Sequence, residues 1–83
     1  MDIIEIDVKW HDAKAGGGGW ESIEYLIHDV TLEYCLTRGY LIYEDEDCIK
    51  VAQTIGESGY LNQITIPKGC VKTEKRRKCT GNI

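Results

Sequence analysis

Phenylalanine is missing from the chain, and proline and methionine occur once each. Its aromatic residues are five Tyr and two Trp, side chains whose polar handles suit the rim of a core or a binding surface. No apolar run approaches the roughly 20 residues that a helix needs to span a bilayer, and Asp2, Glu5 and Asp7 interrupt the start where a secretion signal would be apolar. A membrane role is excluded on this reading, and a cytoplasmic location is expected. Cysteines stand at 35, 48, 70 and 79 without C-x-x-C spacing, far in sequence from His11 and His28. That pattern lacks the two close ligand pairs of a zinc site. Without a secretion signal the thiols are expected to be reduced. Neither metal nor cofactor is expected.

What is present is enough for one small domain. A chain of 83 residues buries only about 60% of the surface its unfolded form exposes. The net charge of −4 is unevenly spread: residues 1–67 carry −9 and residues 68–83 carry +5. A basic end can meet nucleic acid, but the acidic body would repel a phosphate backbone. Nucleic-acid binding is therefore disfavoured.

Residues 3–10, IIEIDVKW, alternate strictly, with Ile4, Ile6, Val8 and Trp10 on one face. Period two with β-branched residues predicts a half-buried strand. Residues 11–19, HDAKAGGGG, read as a glycine loop, and Ser22 caps a helix over 22–29. From residue 31 the chain reads as β. Leu32, Tyr34 and Leu36 share one side of a strand, and Cys35 and Thr37 share the other. Gly39 marks a bend in that strand. An acidic turn (44–47), a GESG hairpin (56–59) and Pro67 divide the strands that follow. The expected organisation is a domain over 1–74, with strands within 31–72, and a fraying basic polar tail over 75–83. A sheet of this kind leaves two edges open, and curling removes them. The fold class expected is mainly β (α+β): a small, strongly bent antiparallel β-barrel of about five strands, with one short helix after the first strand. An open α+β sheet is the alternative.

Residues 39–71, GYLIYEDEDCIKVAQTIGESG…ITIPKGCV, lay out a glycine-led strand, an acidic turn, a hairpin and a proline-marked turn. This layout resembles the bent barrels of the SH3-like and Sm-like type. With VKWHDA…GWESIEYL before it, the whole chain resembles small phage-encoded accessory proteins. The resemblance implies a non-enzymatic binding protein in a host cytoplasm, with a counter-defence role and a tendency to form homo-oligomers through edge strands. One implied activity is sequestration of a phosphorylated nucleotide-type second messenger; another is capping of a host protein.

No catalytic set emerges from the residues themselves. His11-Asp12 are neighbours on an extended chain and point to opposite faces, and His28-Asp29 lie at a helix end, where a histidine complements the dipole. Glu44–Asp47 lack the ligand pattern of a calcium loop. For a nucleotide, the candidates are Trp10, His11, Trp20, Arg38, Tyr40 and Lys68. An Arg fork suits phosphate and an aromatic face suits a base. For a host protein, an acidic face of Asp2, Glu5, Asp7 and Glu44–Asp47 is the candidate. Sm-like RNA binding through Lys75–Lys78 is a weaker alternative.

Gly16–Gly19 are followed by Trp20-Glu21 instead of the Lys-Ser/Thr pair of a phosphate loop. Four consecutive glycines also lose much entropy on ordering. They read as a connector that lets Trp20 move.

Overall fold

The computed structural model describes residues 2–13, 19–28 and 31–79. Five antiparallel strands form one sheet in the order β4-β3-β2-β1-β5: β1 Ile3–Asp12, β2 Glu33–Glu44, β3 Cys48–Gly56, β4 Gly59–Pro67 and β5 Val71–Cys79. One short helix, α1 (Ile23–His28), follows β1. The mainly β class with a single helix after the first strand is as expected.

The alternation of β1 sets the core. Ile6, Val8 and Trp10 are buried and cluster with Ile49 and Val51 of β3 and Ile66 of β4. Ile66 lies three strands from β1 in hydrogen-bonding order, yet packs in the same cluster, so the sheet is rolled strongly upon itself. The bend falls at Gly39. Residues 33–40 of β2 pair with β1, whereas 40–44 pair with β3. A Cβ on Gly39 would collide with the Ala52 carbonyl oxygen and stand 2.9 Å from Val51 Cγ1. Only glycine lets the strands approach so closely.

The sheet does not close into a barrel, because β4 and β5 form its two edges. A 3₁₀ turn, Lys68–Cys70, carries the chain from β4 to β5, which then pairs with β1 on the far side. The concave side of β5 explains the open seam. Glu74 and Arg76 stand opposite Val8 and Ile6, so this edge turns charge, not apolar surface, toward the gap. Arg76 spans it with two 2.9 Å hydrogen bonds to Glu44.

Two local expectations are corrected. The basic segment is not a tail from residue 75, because β5 runs to Cys79 and pairs Arg77 with Glu5, Lys75 with Asp7 and Cys79 with Ile3. The supposed loop over 11–19 begins later, since His11 and Asp12 belong to β1 opposite Tyr34 and Glu33. The helix is as expected: α1 starts at Ile23, and the Ser22 hydroxyl caps it by accepting from Tyr25 N–H at 3.4 Å. Gly16–Gly18, to which the connector reading mainly refers, lie outside the described residues.

The molecule measures 54 × 23 × 19 Å, with a radius of gyration of 16.7 Å. A compact chain of this length would have about 12 Å. Its accessible surface is 6636 Å², against about 5,000 Å² for a folded monomer of this mass.

Candidate functional site

The register divides the six nucleotide candidates among the core, the outer face of β1 and β2, the corner after β4 and the segment before α1. Trp10 is a core residue, 7% exposed, and its indole N–H donates to Thr37 Oγ1 at 3.0 Å. His11 faces the other side of β1, its ring set edge-on to Tyr34 at 4.3 Å. Arg38 and Tyr40 lie on that same outer face, opposite Asp7 and Glu5. The Arg38 guanidinium is 3.5 Å from the Asp7 carboxylate. Lys68 sits at the corner after β4 with its ammonium 3.0 Å from Glu44. Trp20 is fully exposed. The cations therefore already face carboxylates, and the one buried indole has its hydrogen bond inside the core. A phosphate at Arg38 would have to approach beside Asp7.

The acidic residues are similarly engaged. Arg77 reaches Asp7 at 3.1 Å and Glu5 at 3.3 Å, and its hydrogen bond holds the Asp7 carboxyl below the usual range. Glu44 accepts from Arg76 and Lys68, which lower its pKa to about 2. Asp45 is also lowered to about 2, first by the Tyr43 hydroxyl at 2.8 Å and then by the Asp47 and Cys48 N–H groups. Asp45 thus builds the β2–β3 turn, an Asx-type arrangement for which aspartate is suited. Of the proposed acidic face, this leaves Asp2, Asp45, Glu46 and Asp47 without a side-chain ion pair among the described residues.

The four cysteines are free thiols. Cys35 and Cys70 pack against the core, and burial pushes the Cys35 and Cys48 thiols up. Among the described residues no three His, Cys, Asp or Glu side chains converge as a metal-ligating group.

The conspicuous feature is apolar. Ile23, Leu26 and Ile27 recur at helical spacing on α1, yet remain 76%, 61% and 66% exposed, and α1 buries none of its residues. Tyr34 and Leu36 on the outer face of β2 are 66% and 58% exposed. Beside them a groove of about 440 Å³ is lined by Lys9, Tyr34, Leu36, Lys72 and Thr73. A bulge between Lys9 and Trp10 shifts the β1–β5 register there, and the Lys72 ammonium stands 5.1 Å from the Tyr34 ring centroid. Close by, His11 Nε2 is sealed from solvent without a hydrogen-bond partner. A second groove of about 490 Å³ runs between Ile3, Leu41, Ile42, Ile55 and Tyr60.

The sequence already carries this surface in the Leu32, Tyr34, Leu36 row and in the α1 stripe. What it does not carry is which side of β2 meets the core: Cys35 pairs with Trp10 and Thr37 with Val8, so the apolar row faces outward. No protein-family model, curated protein or solved structure matches the chain.

Proposed function

We propose that this chain is a non-enzymatic protein-binding module that works through an apolar surface built from α1 and the outer face of β1, β2 and β5. The observation that carries this reading is the exposure of the α1 stripe, where Ile23, Leu26 and Ile27 each stay more than half exposed. A helix of six residues is far below the roughly 12–15 residues at which isolated helices become even marginally stable. Its apolar stripe stays largely exposed, and α1 buries none of its described residues. Exposed apolar side chains grouped in this way, on α1 and along the outer face of β2, mark interaction sites.

Of the two activities implied by the phage-protein resemblance, capping of a protein fits this surface better than nucleotide capture. Arg38 and Lys68 face Asp7 and Glu44, so a nucleotide phosphate at either cation would meet a carboxylate beside it. The docking surface is apolar instead of acidic, because Glu5, Asp7 and Glu44 are held by cations of the same chain.

A photo-crosslinking residue at position 20 tests the reading in cells that express the protein. Covalent adducts with polypeptide are expected, and they should vanish in the Ile23→Ser/Leu26→Ser double variant. Recovery of unadducted chain, or of chain joined only to small molecules, would overturn it.

A further inference from the structure

We infer that the occupant of this surface is a second copy of the same chain, with α1 of one copy seated in the Lys9/Tyr34/Leu36/Lys72 groove of the other. The inference rests on the protein-binding reading above and assigns it a partner and a geometry.

Three observations favour a second copy. The first is area. The accessible surface exceeds the expectation for a folded monomer by about 1,600 Å². Obligate homodimers bury about 1,000–2,500 Å² per chain. Spread over the whole elongated chain, that excess compares in size with one chain's share of a permanent interface. An occasional partner would leave that surface bare for much of the protein's lifetime.

The second observation is shape. A short helix with apolar residues at i, i+3 and i+4 presents a ridge, and beside Tyr34 and Leu36 lies an open, mainly apolar groove of about 440 Å³. Asp12 and Glu33 stand opposite each other at the end of the β1–β2 ladder. The segment bearing α1 therefore leaves and rejoins the sheet at one end, and α1 buries none of its residues.

The third is charge. The ridge is flanked by Glu21 and Glu24, and the groove by Lys9 and Lys72. None of these four forms an ion pair among the described residues. Acidic helix on basic groove is complementary, whereas helix against helix or groove against groove would set like charges together. Complementarity of this kind fixes register and suppresses wrong pairings. One chain carries both halves, so two copies satisfy each other reciprocally across a two-fold axis.

Sedimentation equilibrium of the purified full chain tests the arrangement. The expected mass is about twice the 9.4 kDa of the monomer. Leu26→Glu on the ridge and Leu36→Glu in the groove should each give a monomer, with the sheet signal in circular dichroism retained. Glu24→Lys and Lys72→Glu should each weaken association at least about tenfold, and the double swap should restore it. Glu57→Lys, in the β3–β4 turn, should change nothing.

A dimer that survives both leucine variants would overturn the proposed interface. So would a monomeric wild type at 100 µM concentration (about that or higher), including one in which α1 folds back onto its own sheet. If a monomer still crosslinks to other proteins from position 20, the protein-binding reading stands and the second copy does not. A monomer that crosslinks to nothing removes both.

Discussion

Arg76 grips Glu44 with two parallel hydrogen bonds of 2.9 Å, joining the edge strand β5 to the end of β2 across the seam that the backbone leaves open. Lys68 adds a third contact to the same carboxylate, and Glu74 holds the guanidinium from behind at 2.7 Å. The result is a four-residue ion cluster over one side of the core. Paired, bidentate geometry of this kind is stronger than an ordinary surface ion pair, although side chains about a third exposed keep its contribution modest.

This cluster sets an acid response. The folded-state pKa of Glu44 is about 2, below its ordinary value of 4.5. Its contribution is therefore complete above about pH 4.5 and is lost as pH falls through about 2. Asp45, lowered from 3.8 to about 2, acts in the same direction. Melting temperature should fall between pH 4.5 and pH 2 (roughly that window), and Glu44→Gln should flatten that fall. An unchanged slope in the variant would show that the cluster is not responsible.

Gly39 should tolerate no side chain. A Cβ there meets the Ala52 carbonyl and Val51 Cγ1, and backbone cannot yield as a flexible side chain would. Gly39→Ala should cost about 1–3 kcal/mol in urea denaturation, the range of an overpacked site. Gly69→Ala, where nothing lies within 4 Å, should stay within about 0.5 kcal/mol of the parent.

Ile66 is the residue by which β4 joins the core of β1. It is fully buried, whereas Leu61 on the same strand is 64% exposed. Ile66→Ala should destabilise by about 2–5 kcal/mol, a large share of the stability of so small a domain. Leu61→Ala should change stability by less than about 0.5 kcal/mol, as measured by the same denaturation curves.

Thr37 accepts the only side-chain hydrogen bond of the Trp10 indole found among the described residues. Thr37→Val keeps the shape and removes the acceptor, leaving a mostly buried N–H unpaired. A loss of about 1–3 kcal/mol is expected. Measured in a Trp20→Phe background, the near-ultraviolet dichroism of Trp10 should change with it. Wild-type stability in that variant would mean that solvent replaces the hydroxyl.

Much of this architecture is legible in the residues. Period two in β1 identifies Ile6, Val8 and Trp10 as a face, and Gly39 stands out within a long β run as a bend. The strand turns also announce themselves through GESG and Pro67. The basic segment is different. KRRK looks like a solvated tail because charge normally argues against a strand, and the carboxylates that make it one, Glu5, Asp7 and Glu44, lie 32 to 72 positions away. For the same reason the site candidates are read from the sequence without their partners. Arg38 and Lys68 were selectable by type, but their engagement with Asp7 and Glu44 is a property of register, which a linear pattern does not contain. The exposed row of β2 is a third case: alternation separates Tyr34 and Leu36 from Cys35 and Thr37, but only cross-strand pairing with Trp10 and Val8 decides which set goes inside.

The pairing of Ile3 with Cys79 has a mechanical consequence. Both ends of the β1–β5 ladder's outermost rung belong to residues near opposite ends of the chain, and the strands run antiparallel. A force drawing those residues apart would load the rungs one after another, as a zipper is opened, instead of shearing them together. The protein would yield to such a pull at low force, while a load between Gly39 and Ala52 would meet the packed core. A short peptide joining residues 3 and 79, with new ends cut in the Gly56–Gly59 turn, would leave every strand pairing intact.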